Sequence, residues 1–315
     1  MEKVAIGVDV GGTSIKMGLF TEGGKLLEKW SLPTNKDNEG KQILPDIAES
    51  ILGKMKTWNL DKSQVDGVGI GLPGPVDKKG VIHKAVNLYW HNVFNVSETL
   101  SGLLGGMKVI AGNDANVAAL GEAWVGSGKG HENIVMVTLG TGIGGGIIED
   151  GHIITGSTGA AGEIGHMIVE ENEEETCNCG NKGCMEQYGS ATGIVRLLER
   201  ELRANPNEAS VMRTRPHTAK DLWDAVIEGD ALSKRVAEKF GNYLGTGLAS
   251  IATVLNPELI IIGGGMSLAG DVLLSYIIKS FESHVFHASR GTKFVRAILG
   301  NDGGIYGAAR LALQG

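Results

Sequence analysis

Apolar side chains recur along the chain with two periods, one typical of helices and the other of strands. A three-to-four-residue period predicts a helix over about residues 40–58. Its apolar face comprises Ile43, Ile47, Ile51, Met55 and Trp58. Short apolar runs bounded by turn residues predict strands at VDGVGIGLPGPV, from Val65 to Val76, and at MKVIAGND, which ends at Asp114. Helices alternating with strands indicate an α/β fold.

The second half of the chain repeats this alternation. The spacing of apolar residues predicts a helix from Phe240 to Leu255, which Pro257 is expected to end before the strand ELIIIGGG. The triple glycine is expected to open another helix, and GGIYGAARLAL predicts a last one. After the strand MKVIAGND, the segment ANVAALGEAW predicts a helix whose first N–H groups Asp114 could cap.

Two segments resemble each other and indicate an internal duplication. Gly7 to Leu26 and Met136 to Ile153 are each expected to form a strand, a glycine turn, a second strand and an acidic-Gly turn before the chain returns. The alignment places Gly11-Gly12-Thr13 opposite Gly140-Thr141-Gly142. We therefore expect two related domains that each present a glycine hairpin, with a boundary near Gly112.

Composition narrows the class of protein. Of 315 residues, 42% are hydrophobic and 21% are charged, and the net charge is -7, which describes a folded globular protein and argues against a nucleic-acid surface. The acidic run Glu170 to Glu175 is interpreted as a solvated loop. The N-terminus has no export signal and no apolar run approaches the ~20 residues that a bilayer requires, so we expect a cytoplasmic protein without a membrane segment.

The stretch VDVGGTSIK is the first candidate for chemistry. Asp9 stands between Val8 and Val10, and the tight turn after it exposes backbone N–H groups of the kind that bind phosphate. A β-hairpin with a hydrogen-bonded aspartate is the alternative. The spacing is neither a Walker A loop nor a dinucleotide-binding fingerprint. A second glycine hairpin, Gly140 to Gly146, favours the phosphate interpretation because two facing turns could hold the phosphates of one nucleotide.

Seven motifs occur in order along the chain: DVGGT, GLPGPVD, GNDANVAALGE, LGTGIGGGII, GAAGEIGH, CNCGNKGCME and IIIGGGMS. Each alone is moderately specific, whereas their order and spacing together are highly specific. Over essentially its whole length the chain resembles the ROK family of repressors, open reading frames and kinases. The resemblance implies an α/β, actin-like (ribonuclease H-like) ATPase duplication, in which two α/β domains flank a cleft that binds nucleotide and sugar.

The resemblance also implies domain limits and a cofactor site. The N-terminal α/β domain would span residues 1–112 and be joined by a C-terminal helix at 301–315, and the C-terminal α/β domain would span 113–300 with a zinc-binding loop. ATP and Mg²⁺ are the implied cofactors. The residues expected near the ATP phosphates, the magnesium ion or the nucleoside are Asp9, Gly11, Gly12, Thr13, Lys16, Thr138, Gly140, Thr141, Gly142, Gly264 and Gly265.

A second group of residues is expected to bind a sugar substrate. Its members are Gly74, Asn113, Asp114, Glu163, His166 and Glu186. Phosphoryl transfer needs a base that takes the proton of the attacking hydroxyl, and Asp114 is the candidate catalytic residue. Its alternative role is the helix cap described above. The two roles differ in magnitude, because a cap contributes ~1 kcal/mol of stability and a general base on the order of 10²–10⁴ in rate.

The cysteines form one cluster in the sequence. Cys177, Cys179 and Cys184 lie within eight residues, and His166 precedes the first by eleven. One imidazole and three thiolates suit tetrahedral zinc, and four protein ligands leave no open position, so the metal is expected to brace the fold. A disulfide between Cys177 and Cys184 and free thiols are the alternatives. In the family this histidine binds zinc through one ring nitrogen and can offer the other to the sugar.

The activity implied by the resemblance is the ATP-dependent phosphorylation of glucose at its 6-hydroxyl. Another hexose or an N-acetylhexosamine is the alternative substrate. The family's sugar-responsive repressors carry a helix-turn-helix before the kinase-like fold, and only a few residues precede the first strand here. A non-catalytic actin-like ATPase would not explain the cysteine cluster. We expect a small-molecule sugar partner, no nucleic-acid or membrane partner, and a homo-oligomer, either a dimer or a tetramer.

Overall fold

The structure, a computed structural model, describes residues 3–314. The described chain divides into two compact units. The first contains the chain up to Glu132, the segment Gly146–Gly162 and the chain from Leu299, and the second contains Asn133–Gly145 and Glu163–Ile298. The C-terminal helix expected at 301–315 belongs to the first unit, and its last residue, Gly315, lies outside the described residues.

Strands and helices alternate along most of the chain, as the apolar periods predict. The strands are β1 Val4–Val10, β2 Ser14–Thr21, β3 Leu26–Pro33, β4 Val65–Leu72, β5 Val81–Ile82, β6 Phe94–Asn95, β7 Val109–Asn113, β8 Ile134–Leu139, β9 Ile143–Glu149, β10 His152–Ile153, β11 Leu259–Gly263 and β12 Lys293–Arg296. The helices are α1 Asp37–Gly40, α2 Ile43–Thr57, α3 Val96–Leu103, α4 Asp114–Val125, α5 Glu186–Gly189, α6 Ala191–Ala204, α7 Ala219–Glu228, α8 Ala231–Leu255, α9 Asp271–His284 and α10 Gly303–Gln314.

The first sheet has the strand order β3-β2-β1-β4-β7. β1, β2 and β3 are antiparallel neighbours, whereas β1, β4 and β7 run parallel. The helix predicted over residues 40–58 is α2, which buries Ile43, Ile47 and Ile51 in the core of this unit. α10 packs against β1 and β4 so closely that a Cβ on Gly69 would lie 1.7 Å from the Ala308 carbonyl oxygen.

The second sheet has the strand order β10-β9-β8-β11-β12. β8, β11 and β12 run parallel, and β9 and β10 are antiparallel. The 25-residue helix α8 occupies the core of the second unit, where Phe240, Leu244 and Leu248 are fully buried. Both expected hairpin segments therefore form the strand-turn-strand arrangement that the sequence predicts, as β1-β2-β3 and as β8-β9-β10.

Two local expectations differ from the structure. The triple glycine opens a 3-10 turn, Gly265–Ala269, and the helix α9 begins only at Asp271. The cap of α4 is Asn113 rather than Asp114, because Asn113 keeps extended backbone angles and its side chain accepts from the N–H groups of Ala115 and Asn116. No helix within residues 3–314 combines the length and the apolarity needed to span a bilayer.

Candidate functional site

One edge of the first sheet gathers several of the predicted site residues. Because β1, β4 and β7 run parallel, their carboxyl ends meet at the same edge. Asp9, Gly71 and Gly112 are in register across the three strands, so about two strand spacings of ~4.8 Å separate the first from the last. Asp114 begins the helix that follows β7 at this edge. The sheet thus brings the two predicted carboxylates to one side of the unit.

The environment of Asp9 disfavours its charge. Burial raises the pKa of the Asp9 carboxyl, Asp302 raises it further, and Lys16, its cross-strand neighbour, opposes the shift. A Cβ placed on Gly304, in the first turn of α10, would lie 2.6 Å from the Asp9 carboxyl carbon. The Lys16 ammonium also donates to the Asn301 carbonyl oxygen at 2.9 Å. A cation beside Asp9 would restore its ordinary ionisation.

The first glycine turn is a tight connection between β1 and β2. The Gly11 N–H donates to the Ser14 carbonyl oxygen at 3.0 Å. Thr34, just after β3, fixes the turn from one side, since its hydroxyl donates to the Gly11 carbonyl oxygen at 2.7 Å and its N–H donates to that of Thr13 at 3.0 Å. Gly12 lies at the tip, where an added Cβ would contact nothing closer than 3.7 Å. The tip is open enough for a ligand to approach.

Asn113 and Asp114, at the start of α4, make different hydrogen bonds. Asn113 Oδ1 accepts from the N–H groups of Ala115 and Asn116 at 3.0 and 3.1 Å, and its Nδ2 donates to the Gly74 carbonyl oxygen at 3.2 Å. One amide hydrogen of Asn113 remains for a ligand. Asp114 Oδ1 accepts from the N–H of Ala115 at 2.8 Å. The structure thus joins Gly74, Asn113 and Asp114 in one group.

The second glycine turn lies at the carboxyl edge of β8 and β11. Thr138 is in register with Gly263, so Gly140 and Gly264 follow adjacent strand ends. A Cβ on Gly264 would lie 2.4 Å from the Leu139 carbonyl oxygen, which requires glycine there. Gly265 begins the 3-10 turn that comes next. The six residues predicted for the phosphates and the nucleoside in this half are thereby adjacent. They are Thr138, Gly140, Thr141, Gly142, together with the Gly264-Gly265 pair.

Glu186, predicted to bind the sugar, also lies beside this turn. Its Oε2 accepts from the N–H of Ile143 at 2.8 Å, and a Cβ on Gly142 would lie 2.1 Å from the same oxygen. The 3-10 turn Ile164–His166 meets Ile143 as well, because a Cβ on Gly165 would lie 2.5 Å from the Ile143 carbonyl oxygen. Ile143 thus connects the glycine turn to both of the segments that flank the cysteine cluster.

The cluster predicted from the sequence is assembled in the structure. The potential ligand atoms of His166, Cys177, Cys179 and Cys184 all lie within 4.8 Å of one another. Cys177 Sγ is 3.8 Å from His166 Nδ1, and Cys179 Sγ is 3.6 Å from Cys184 Sγ. All three cysteines are free thiols, so the alternative of a Cys177–Cys184 disulfide is wrong for this structure. One imidazole and three sulfurs at these separations fit a tetrahedral zinc ion.

The thiols of the cluster differ in how readily they ionise. Burial and the neighbouring thiols raise the pKa of Cys184 to about 12, whereas a backbone N–H group lowers the pKa of Cys179. A metal ion binds thiolates, and its charge would offset the cost of ionising the buried sulfur. The loop conformation depends on Gly183, whose φ is +75° and whose Cβ would lie 1.7 Å from the Glu170 carbonyl oxygen. No other residue fits at that position.

The acidic run before the cluster is a solvated loop only in part, because Glu171, Asn172, Glu174 and Glu175 are exposed but Glu173 is buried. Glu173 is 7% exposed, and Arg200 donates to its two oxygens at 2.9 Å each. The Tyr188 hydroxyl donates a third, short hydrogen bond. Arg200 lowers the pKa of Glu173 to about 2 against the effect of burial. Glu173 therefore anchors the metal loop to α6, because Arg200, 27 positions away, neutralises its charge.

The chain matches the ROK family model over residues 5–315. It belongs to the ROK family. A glucokinase of Halalkalibacterium halodurans is 41% identical over 314 residues, which cover 98% of this chain and 94% of the relative.

Two solved structures of ROK proteins share the fold. A ROK family glucokinase from Streptomyces griseus, in complex with glucose and AMPPNP, superposes with a TM-score of 0.74 at 34% identity, covering 99% of this chain and 100% of that one. A ROK hexokinase from Thermus thermophilus has a TM-score of 0.83 at 29% identity, covering 99% and 98%. The α/β actin-like ATPase fold expected from the sequence is confirmed by these structures of the family.

Some buried or hydrogen-bonded residues of this ROK protein are not among the predicted site residues. Thr192 donates to the Thr141 carbonyl oxygen at 2.7 Å, and Ser190 caps α6 by accepting from the Gly193 N–H at 2.9 Å. Serine before an amphipathic helix is a cap signal that the sequence does offer. Glu122 is 1% exposed and accepts from Ser127 and Leu299. Its position late in a predicted helix gives no such signal.

Proposed function

We propose that the chain is a glucokinase, which transfers the γ-phosphoryl group of ATP to the 6-hydroxyl of glucose and releases glucose 6-phosphate and ADP. The observation that carries the proposal is near-full-length similarity to a glucokinase at 41% identity. The Streptomyces griseus relative, which binds glucose and AMPPNP, supports both substrates. A sugar kinase also accounts for Asp114, the two glycine turns and the cysteine cluster together.

In this proposal Asp114 is the general base. Its carboxylate would take the proton of the glucose 6-hydroxyl as the hydroxyl oxygen forms its bond to the γ-phosphorus and the bond to the ADP oxygen breaks. The capping of α4 by Asn113 supports this role, because the helix does not need Asp114 as its cap. Loss of the carboxylate should therefore affect rate much more than stability.

The remaining sugar ligands would be hydrogen-bonding groups of limited capacity. Asn113 has one amide hydrogen left, and Glu186 has the oxygen that does not accept from Ile143. His166 turns Nδ1 toward Cys177, which leaves the other ring nitrogen for the sugar. Glu163 and the Gly74 backbone complete the set. Such groups select a sugar because an analogue without the matching hydroxyl leaves them unpaired.

ATP would be held by the two glycine turns, with Asp9 and Lys16 beside the first. Mg²⁺, when bound, would neutralise phosphate charge during the transfer. The raised pKa of Asp9 supports a cation there, since the carboxyl gains its ordinary charge when one is close. Thr13 and Thr138 add hydroxyl groups near the respective turns.

Zinc would be a structural ion held by His166, Cys177, Cys179 and Cys184. When bound, it would fix the loop between the 3-10 turn that ends at His166 and the helix that begins at Glu186. The sulfur and imidazole separations support this ligand set. The homo-oligomer and the cytoplasmic location expected from the sequence stay predictions.

A panel of sugars tests the function. ADP release is measured with glucose, mannose, fructose, N-acetylglucosamine and N-acetylmannosamine at equal concentration, with Mg²⁺–ATP in excess. We expect glucose to give the highest kcat/KM by at least tenfold, and the product to be phosphorylated at the 6-position by NMR. A preference for an N-acetylated sugar would replace glucose by that substrate. Turnover that no sugar stimulates would overturn the kinase assignment.

A further inference from the structure

The second glycine turn, Gly140 to Gly142, is held by groups at the start of α6. The Ala191 N–H donates to the Gly140 carbonyl oxygen at 2.8 Å. The Thr192 hydroxyl donates to the Thr141 carbonyl oxygen at 2.7 Å. Two successive carbonyl groups of the turn are therefore directed toward the N-terminus of this 14-residue helix.

Because the peptide bond is planar, these two carbonyl contacts also fix the directions of two N–H groups. In a trans peptide the carbonyl group and the N–H of the next residue point in opposite directions. The Gly140 carbonyl faces α6, so the Thr141 N–H points away from it. The Thr141 carbonyl faces α6 as well, so the Gly142 N–H also points away. Consecutive N–H groups presented in this way form an anion-binding concavity.

The hydroxyl of Thr192 is itself held in place. It lies 3.0 Å from the hydroxyl of Ser190, which is fully buried and accepts from the Gly193 N–H. Because Thr192 sits in the first turn of α6, its backbone moves only with the helix. Although Thr192 is exposed, these contacts hold its hydroxyl in place as a donor to the Thr141 carbonyl oxygen.

Glu186 secures the other end of the same turn. Its Oε2 accepts from the Ile143 N–H at 2.8 Å, and glycine at position 142 is required for that carboxylate to approach. The Gly140 N–H donates to the Gly142 carbonyl oxygen at 3.0 Å and closes the turn. The peptide between Thr141 and Gly142 depends on Thr192, whose hydroxyl holds its carbonyl from α6.

We propose that Thr192 is a positioning residue for the phosphates of ATP. It does not touch the nucleotide: its hydroxyl holds the Thr141 carbonyl, and this directs the Gly142 N–H to the phosphate oxygens. The proposal rests on the proposed function, because it assigns the ligand of this turn as the phosphate chain of Mg²⁺–ATP. It predicts a defect that is confined to ATP and leaves glucose affinity almost unchanged.

The test replaces Thr192 by valine, which keeps the shape and removes the hydroxyl, and by serine, which keeps the hydroxyl. For Thr192→Val we expect the KM for ATP to rise about tenfold, since the Thr141 carbonyl loses the hydrogen bond that orients the peptide before Gly142, and the KM for glucose to change less than twofold. Thr192→Ser should stay within twofold of wild type for both. Thr57→Val is the matched control, because Thr57 makes the same kind of hydroxyl-to-carbonyl bond, to Gly53, on an exposed face of α2.

Several results would overturn the proposal. They are an unchanged KM for ATP in Thr192→Val, an equal rise of both KM values, and a serine variant as impaired as the valine one. If Thr192→Val does not fold, Thr192→Ala replaces it under the same criteria. Equilibrium binding of Mg²⁺–ATP separates this proposal from the proposed function. A wild-type chain that binds ATP without glucose-stimulated turnover refutes the kinase, whereas the variant-to-wild-type affinity ratio decides the role of Thr192.

Discussion

Asp9 in the first unit is half-buried and Glu173 in the second is buried, and their surroundings shift the pKa values of the two carboxyls in opposite directions. Arg200 donates to both oxygens of Glu173 and holds its pKa at about 2. Asp9 faces Lys16 but also Asp302, and burial still raises its pKa. A carboxylate whose charge is matched inside the fold stabilises the fold. One whose charge is under-matched is a candidate for binding something else.

The same contrast separates the two regions around these residues. Near Asp9, the edge of the first sheet collects polar groups at strand ends, where their geometry suits a ligand. In the second unit, Arg200 and the Tyr188 hydroxyl donate to Glu173, and the sulfurs and imidazole of the cysteine cluster lie close to one another. We infer that the first region serves chemistry and the second fixes the shape of a loop.

The largest expected effect lies in the first region. Asp114→Asn should lower kcat by about 10²–10⁴, because the amide cannot accept the proton of the sugar hydroxyl. Stability should be nearly unchanged, since Asn113 caps α4. Steady-state kinetics, calorimetric glucose binding and a thermal melt measure the three quantities.

A matched control for Asp114→Asn is Asp61→Asn, which removes a carboxylate from the cap of an exposed 3-10 turn. It should leave kcat within twofold of wild type. Near-wild-type turnover of Asp114→Asn would refute the assignment of Asp114 as the base. Asp114 would then no longer support the inference that the region near Asp9 serves chemistry.

Neutralising Glu173 should lower the stability of the fold, whereas neutralising Asp9 should not. Glu173→Gln should destabilise the protein on the order of 3 kcal/mol, from a shift of its pKa from 4.5 to about 2 at ~1.4 kcal/mol per unit. Asp9→Asn should leave the melting temperature unchanged or raise it, because the carboxylate that it removes is disfavoured by burial. Differential scanning calorimetry of the ligand-free proteins measures both effects.

Acid titration gives the same comparison a pH window. Since the pKa of Glu173 is lowered in the folded state, its contribution to stability is complete above about pH 4.5 and is lost as the pH falls toward 2. Because the pKa of Asp9 is raised in the folded state, its ionisation lowers the stability of the fold, and this destabilisation disappears as the pH falls. Acid melts of Glu173→Gln that parallel those of wild type would contradict this account.

A smaller kinetic effect is expected from the metal loop. Purified protein should contain one zinc per chain, and Cys179→Ser should lose it and raise the KM for glucose by about 10–100-fold, because ligand orientation depends on the metal and its surroundings. Metal analysis and glucose kinetics measure this effect. Return of the wild-type KM when zinc is added back to chelated wild-type enzyme is the control. Fully active protein without zinc would refute the structural ion.

The sequence predicted most of the fold because its signals are local. Apolar periodicity identified α2, and glycine turns between apolar runs identified both hairpins. The cysteine spacing identified the four residues that the structure gathers.

Contacts between residues that are far apart in the chain could not be predicted from the sequence. Glu173 looked solvated because its partner Arg200 is 27 positions away. Thr192 and Thr141 are 51 positions apart, and no local pattern joins them. The capping of α4 was assigned one residue too late because Asn113 and Asp114 are both good caps, and only the backbone angles distinguish them.

The packing of α10 on the first sheet has a consequence for folding during synthesis. On the face of β1 and β4 that this helix covers, a Cβ on Gly7 or Gly69 would lie 1.9 or 1.7 Å from a backbone carbonyl oxygen of α10, so that the backbones nearly touch. Residues 133–298 are synthesised before α10. During that time this face of the first sheet is not covered by α10. Apart from Ala5 and Phe20, which pack against α10, the glycines leave little apolar surface for a chaperone or a neighbouring nascent chain, so the interval carries a low risk of misassembly.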